Sequence, residues 1–308
     1  MSGVAPSSAS SASSASSALG AKVQAALGGT FAVERELAEG ARAHLFVATE
    51  AALGRRVVLK VLPPELSATL DAARFRREIE LAARLSHPNI VPLLSAGEAG
   101  GFLYYTMPLV EGESLYARIR RRGALPAREA VSVLRDLAKA LAFAHAHGVV
   151  HRDLKPDNVL LEQGSALLID FGIARALDAA TTATPDRTAP GIAVGTPAYV
   201  SPEQASGDPR ADHRSDLYSL GVVAYEMLSG RPPFRHRAVM AVLAAHRNEP
   251  PPPLLAPRGG VVPGWLARLV MRLLEKRPAD RPQSGDEVLR LLDAGAPDAA
   301  LAPSGAGA

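Results

Sequence analysis

The chain has 308 residues, 47% of them hydrophobic and 21% charged, with 34 basic and 31 acidic side chains for a formal net charge of +3. That is the composition of a globular protein of one large or two ordinary domains, and with acids spread among the arginines it calls for no nucleic-acid partner. The absence of cysteine excludes disulfides, thiolate catalysis and cysteine-ligated zinc; no uninterrupted apolar run reaches the length of a membrane span, and the N-terminus lacks a signal peptide, so a cytoplasmic location is expected.

Residues 1–29 are rich in Ser and Ala, too poor in apolar side chains to offset their ordering entropy, and read as a disordered tail. From Phe31 the pattern turns strand-like. Phe31–Leu37 and Leu45–Ala48 read as a hairpin around a turn at Ala38–Ala43, and Arg55–Leu62 as a third strand. Ala68–Leu85 reads as an arginine-rich helix with apolar Phe75, Ile79 and Ala82; the chain then meets Pro88 and begins a strand at Ile90. Phe102–Met107 is another strand. Pro126–His147 reads as a long amphipathic helix, with proline in its first turn and Gly148 past its end. His145 and His147, two apart, point to different faces of it and read as structural. Asp212–Gly230 reads as a buried helix, Pro250–Pro253 as a stiff loop, and Leu266–Leu274 and Val288–Leu292 as closing helices. After Asp293 the chain is Ala-, Gly- and Pro-rich and reads as loose.

Two runs in the middle carry chemistry. His151-Arg152-Asp153-Leu154-Lys155-Pro156-Asp157-Asn158 offers a carboxylate and an amide. Leu167-Leu168-Ile169-Asp170-Phe171-Gly172 sets a second carboxylate at the end of an apolar, strand-like run. Phosphoryl transfer needs such parts: a base to orient a hydroxyl, and oxygen ligands to hold Mg²⁺ on the phosphates. Upstream, Val57-Val58-Leu59-Lys60 keeps a lysine in a chain with five lysines against twenty-nine arginines. A compact ammonium suits a confined phosphate contact better than a guanidinium fork. Downstream stands Gly195-Thr196-Pro197-Ala198-Tyr199-Val200-Ser201-Pro202-Glu203. In their order, these runs resemble the protein kinases, specifically the bacterial eukaryotic-like serine/threonine protein kinases, over about residues 30–293.

The resemblance implies an α+β, two-lobed protein kinase fold. A small antiparallel β-sheet lobe with one regulatory helix (30–107) is followed by a hinge (108–114), a larger mainly helical lobe (115–293) and a flexible tail (294–308), with ATP between the lobes. Gly40 and Leu45 fall in the loop over the nucleotide phosphates, although Gly40 is the one glycine of that loop's pattern kept in Ala38–Leu45. By the same resemblance Lys60 touches the α- and β-phosphates and pairs with Glu78, Glu80 being the next choice. Met107 is the gatekeeper, and Leu109 and Val110 offer backbone groups to the adenine edge. Asp153 accepts the hydroxyl proton, Lys155 neutralises charge on the transferred group, Thr196 shapes the pocket beside the hydroxyl, and Asn158 and Asp170 hold Mg²⁺ or Mn²⁺. Phe171 packs under the regulatory helix, Asp216 hydrogen-bonds the catalytic-loop backbone, and Arg281 pairs with Glu203. Arg152 receives a phosphothreonine from the segment 173–203: Thr188 first, then Thr181, Thr182 or Thr184.

The reaction implied is transfer of the γ-phosphoryl group of Mg·ATP to Ser or Thr of protein substrates, with autophosphorylation of the activation loop in a homodimer. Two alternatives stand beside it. A pseudokinase scaffold that binds nucleotide without turnover is motivated by the depleted glycines at Ala38 and Ala43. Against a small-molecule phosphotransferase stands the long segment 173–203, since a small substrate needs no peptide platform.

Overall fold

The computed structural model describes residues 10–39, 43–62, 72–171, 197–236, 238–255 and 262–295. The chain divides into two compact units, Met1–Ala83 with Pro92–Leu109, and Arg84–Val91 with Val110–Ala308. Among the described residues no helix is long and apolar enough to cross a membrane. Gly40, Thr196 and the four candidate threonines lie outside the described residues, as does the tail from residue 296.

The first unit runs α1 (Ser10–Leu27), β1 (Phe31–Glu39), β2 (His44–Glu50), β3 (Arg55–Val61), α2 (Ala72–Ala83), β4 (Ser95–Ala99) and β5 (Phe102–Pro108). Its strands form one sheet in the order β1-β2-β3-β5-β4, every neighbouring pair antiparallel. The register sorts the side chains by face, because partners across a sheet share a side and alternate residues switch it. Leu45, Lys60 and Tyr105 stand opposite one another, as do Val47, Val58 and Met107 two residues along, so all six share one face. Phe46, Leu59, Ala48 and Val57 point the other way and, with Phe31, Val61 and Phe102, form a buried apolar cluster.

That second face corrects one expectation. The Ser/Ala-rich stretch read as a disordered tail carries α1, and Val23 and Leu27 of that helix are buried in this cluster. Leu19, Val23, Ala26 and Leu27 recur at helical spacing and form a stripe toward the sheet. Gln24 fastens the junction: its Oε1 accepts from the Val33 N–H at 2.7 Å, and its Nε2 donates to the Phe31 carbonyl at 3.3 Å. The stripe occupies only the last turns of a long polar segment, so averaging composition over residues 1–29 hid it.

The second unit contains β6 (Glu113–Ser114), α3 (Leu115–Arg122), α4 (Ala127–Ala146), β7 (Val159–Glu162), β8 (Ser165–Leu168), α5 (Pro202–Ala205), α6 (Arg214–Ser229), α7 (Val239–Asn248), α8 (Gly264–Leu273) and α9 (Gly285–Gly295). β6, β7 and β8 form a small antiparallel sheet. The strand expected at Ile90 is a single bridge to Leu168. α3 went unread in the sequence. It starts where Ser114 Oγ accepts from the Ala117 N–H at 3.1 Å, as an N-cap does. The core sits around α6, whose residues Ser215–Leu228 are all buried, so that its apolar side chains meet neighbours all round. Gly221 lets α8 approach: a Cβ there would lie 2.7 Å from the Cβ of Leu273.

Candidate active site

The loop after α4 is shaped by its backbone partners. Gly148, at φ +73°, turns the chain out of the helix, and the loop closes into a 3₁₀ turn at Pro156–Asn158 before β7. Within it Asp153, Lys155 and Asn158 come together. Lys155 Nζ donates to Asp153 Oδ2 at 2.7 Å. Asn158 Nδ2 donates to the Asp153 carbonyl at 2.8 Å and to its Oδ2 at 3.2 Å. Those two donations fix the orientation of the Asn158 amide and leave its Oδ1 as the atom presented to a cation. Asp170 follows Ile169, whose N–H donates to the Asn158 backbone carbonyl at 3.0 Å. An amide oxygen and a carboxylate are hard donors suited to Mg²⁺, which takes few protein ligands, so the residues present fit that ion.

Asp216, at the start of α6, holds the loop from beneath. One carboxylate oxygen accepts the His151 N–H and His145 Nε2, both at 2.8 Å, and the other the Arg152 N–H at 2.7 Å. Burial alone would push this carboxyl up, but the hydrogen bonds and the His145 and His151 rings outweigh it and hold it below the usual carboxylate range. The expected bond from Asp216 to the catalytic-loop backbone is therefore present, and His145, read as structural, is its further partner. His151 ties the loop to the second carboxylate. Its Nε2 donates to the Ile169 carbonyl at 2.9 Å, its Nδ1 accepts the Asp153 N–H at 3.2 Å, and its ring meets Phe171 edge-on at 4.7 Å.

Backbone strain concentrates here. Among described non-glycine residues only Arg152 (φ 68°), Gln163 (φ 48°) and Asp170 (φ 67°) have positive φ. Gln163 belongs to the β7–β8 turn; Arg152 precedes Asp153, and Asp170 is itself one of the candidate site residues. Such conformations cost about 1–3 kcal/mol each and persist where neighbours enforce them. For Arg152 the enforcers are Asp216 on its N–H and Gln204 Nε2, which donates to its carbonyl at 3.0 Å.

The segment from Pro197 is anchored from below. Arg281, fully buried, donates NH1 to Glu203 Oε1 at 2.7 Å and NH2 to Oε2 at 2.8 Å, and Ser215 Oγ donates to Oε1 at 2.7 Å, so the expected pair is present. Burial raises the Glu203 carboxyl, and the Arg281 guanidinium overrides it to leave the group below its ordinary range. The Pro197–Tyr199 turn is held by Ser219 Oγ on the Tyr199 carbonyl (2.8 Å), by the Tyr199 hydroxyl on Glu226 Oε2 (2.6 Å) and by His246 Nε2 on the Ala198 carbonyl (3.0 Å). Burial pushes both the Tyr199 hydroxyl and the Glu226 carboxyl up. Sequence reading missed Glu226 and His246. Glu226 carried a signal, a carboxylate inside an otherwise apolar helical run; His246, followed by Arg247 and Asn248 at its helix end, carried none.

In the first unit, three predicted nucleotide-contact residues share a face. Leu45 and Lys60 are opposite neighbours on β2 and β3, and Met107 lies on the same side of β5. Lys60 Nζ stands 5.5 Å from the Tyr105 ring centroid, a cation–π distance. Glu78 falls within α2; its side chain lies outside the described residues. Leu109 and Val110, both half-buried, follow β5.

Comparison with known proteins agrees with this layout. The family model described as "Protein kinase domain" matches residues 31–290. Serine/threonine-protein kinase pkn2 of Myxococcus xanthus is 41% identical over 275 residues, 87% of this chain and 32% of that protein. Serine/threonine-protein kinase PknA of Mycobacterium tuberculosis is 40% identical over 271 residues, 86% of this chain and 61% of that protein. The chain thus spans between a third and about three fifths of the length of these relatives. Among solved structures, the crystal structure of the PknI kinase domain of Mycobacterium tuberculosis is similar with a TM-score of 0.67 and 30% identity, covering 87% of this chain and 96% of that one. With the motifs in order, the antiparallel sheet unit and helical unit observed, and these relatives, the chain belongs to the protein kinase domain family, among the bacterial eukaryotic-like serine/threonine protein kinases.

Proposed function

We propose that the chain transfers the γ-phosphoryl group of Mg·ATP to Ser or Thr of protein substrates and phosphorylates its own activation loop, Thr188 first, between two copies. The observation that carries the reading is the Lys155–Asp153–Asn158 cluster, hydrogen-bonded within itself and hung from Asp216. Asp153 accepts the proton of the attacking hydroxyl and orients its oxygen. Its second duty, binding Lys155, keeps an ammonium beside the place where negative charge grows on the transferred group. Catalysis of this kind is mostly positioning and electrostatics, which suits a side chain fixed by its neighbours. Mg²⁺, or Mn²⁺ in its place, neutralises phosphate charge when bound, and Asn158 and Asp170 are the residues that hold it. Lys60 binds the α- and β-phosphates with Glu78 steadying it, the backbone after Met107, at Leu109 and Val110, receives the adenine edge, and Gly40 and Leu45 lie over the phosphates. Thr196 completes the pocket at the acceptor hydroxyl.

The test is incubation of the purified chain with Mg·ATP followed by intact and peptide mass spectrometry, with Asp153→Asn alongside. Phosphate on Thr188 of the unsubstituted chain and none on the variant is the expected result. Thr188→Ala, compared with phosphatase-treated chain, then loses the activation that phosphorylation brings. No phosphate on either protein, with ATP still raising the melting temperature, overturns the reading in favour of a nucleotide-binding scaffold, the outcome motivated by Ala38 and Ala43.

A further inference from the structure

We propose that His246 is a positioning residue for the protein acceptor: through the Ala198 carbonyl it fixes the turn on which the acceptor chain lies. This rests on the kinase reading above and concerns its acceptor side.

His246 is fully buried in α7. Its Nε2 faces the Ala198 carbonyl at 3.0 Å. A carbonyl can only accept, so this nitrogen carries the proton, and Nδ1 is the acceptor for the Tyr218 hydroxyl at 2.9 Å. The ring stands edge-on to Tyr218 and Phe234, with centroids at 5.7 and 4.9 Å. Its backbone is fixed as well. Lys276 Nζ donates to the His246 carbonyl at 2.8 Å and to the Ala245 carbonyl at 3.3 Å, and lies 4.5 Å from the centre of the Phe234 ring. The ammonium thus closes the C-terminal end of α7, where cations are favoured. The imidazole is therefore a donor of fixed direction on a fixed helix end.

What it holds is not its own neighbourhood. Ala198 lies 48 residues earlier in the chain, two residues after Thr196, the residue proposed above to complete the pocket at the acceptor hydroxyl. Ser219 takes the next carbonyl and Glu226 the Tyr199 hydroxyl. Those two bonds come from α6, so His246 is the tie that links the turn to α7. An apolar side chain would fill the same volume without the cost of burying an imidazole; what histidine adds is two hydrogen bonds, one from the Tyr218 hydroxyl and one to the Ala198 carbonyl, and the second is the one that reaches the turn. Burial holds the ring neutral, with its pKa down to about 4, so the donor and acceptor roles stay fixed near neutral pH.

The experiment is initial-rate kinetics of the full chain, His246→Ala, His246→Leu, His246→Gln and Tyr218→Phe, with ATP as donor and dephosphorylated casein as a generic protein acceptor. Loss of the Ala198 bond raises the KM for casein in His246→Ala by roughly three- to tenfold, the scale of one such hydrogen bond, while kcat and the KM for ATP change less than about twofold. His246→Gln, whose amide nitrogen reaches the place of Nε2, restores the casein KM to within about twofold of the unsubstituted chain. An unchanged casein KM in His246→Ala, an equal loss in kcat and in ATP binding, or no rescue by Gln overturns the proposal. If His246→Ala gives no folded protein, His246→Leu decides: it fills the site and removes the Nε2 donor, so a raised casein KM with an unchanged KM for ATP supports the proposal and an unchanged casein KM overturns it, while Tyr218→Phe, which leaves the Nε2–Ala198 pair in place, keeps the casein KM within about twofold. Absence of transfer by the unsubstituted chain overturns the kinase reading and this inference with it; transfer with an insensitive casein KM overturns this inference alone.

Discussion

Replacing Asp216 by Asn keeps the volume of a side chain that is 1% exposed and changes only what it accepts. The carboxylate takes three donors: His145 Nε2 and the N–H groups of His151 and Arg152. An amide offers one oxygen. Set toward His145 and His151, that oxygen turns two charge-assisted bonds into neutral ones and points the amide NH₂ at the Arg152 N–H, donor against donor. Bonds to a charged group contribute about 1.5–3 kcal/mol against 0.5–1.5 for neutral ones, and a buried donor left without an acceptor costs about 1–3 kcal/mol. The expected loss is about 3–5 kcal/mol, read as the shift in urea unfolding followed through the single tryptophan, Trp265. Arg152, released from one of its two restraints at φ 68°, relaxes toward negative φ and carries Asp153 with it. On the mechanism proposed above, a displacement of about 1 Å at Asp153 lowers kcat by roughly 10²-fold. The pH dependence has a definite sign: the Asp216 carboxyl is lowered in the fold, so its stabilisation is present above the unfolded value near about 4 and fades as pH falls through the folded value. The difference between the two proteins therefore shrinks in acid. A stability loss below about 1 kcal/mol at neutral pH, with kcat unchanged, would refute the claim that this carboxylate sets the loop.

Leu27→Ala in α1 opens a cavity in the apolar cluster that also holds Phe31 and Phe46 and costs about 2–5 kcal/mol by urea unfolding. A chain beginning at residue 31 also melts below one beginning at residue 10, and equal midpoints would show that α1 is no part of the folded unit. Glu203→Ala leaves the fully buried Arg281 without its carboxylate and costs about 3–5 kcal/mol; a double replacement of both residues by Met recovers most of that, which a double-mutant cycle measures. His246 stays neutral in the fold down to about pH 4 while the unfolded chain protonates near pH 6.5, so stability falls on acidification. Between pH 7 and pH 5 this amounts to about 2 kcal/mol that His246→Gln does not lose; identical pH slopes for the two proteins would contradict it.

The sequence showed the elements that carry strong periodic or chemical signals. α4 and α6 were read with their ends within two residues, because proline, glycine and a long apolar face bound them. Lys60 and Met107 were placed on strands that turn out to share a face. What stayed hidden follows from the same physics. α1 depends on a short stripe whose partner face is formed by strands that begin after it, so its stability is tertiary and composition argues against it. α3 has four arginines in its eight residues, which mask the buried Leu115 and Ile119. β6 is two residues long and exists only through pairing with β7. His246 and Glu226 are both buried polar residues on helices, and their partners at 198 and 199 are what tie them to the turn.

Those partners share an origin. Ser215, Asp216, Tyr218, Ser219 and Glu226 all lie on α6 and all are buried. Each ends on something outside the helix: Ser215 on Glu203, Asp216 on the backbone of His151 and Arg152, Tyr218 on His246, Ser219 on the Tyr199 carbonyl, and Glu226 on the Tyr199 hydroxyl. A buried polar group is costly unless paired, so each of these bonds constrains the loop it reaches as firmly as it relieves the helix. Apolar packing alone would hold α6 in the core and leave the loops free to choose among conformations of similar energy. The polar side chains remove that freedom at Arg152 and at Ala198–Tyr199. A helix apolar enough to anchor the core is thus also the element that sets the Asp153 loop and the Ala198–Tyr199 turn, and substitutions along it differ in reach: apolar changes move stability alone, and polar ones move stability together with the loop they hold.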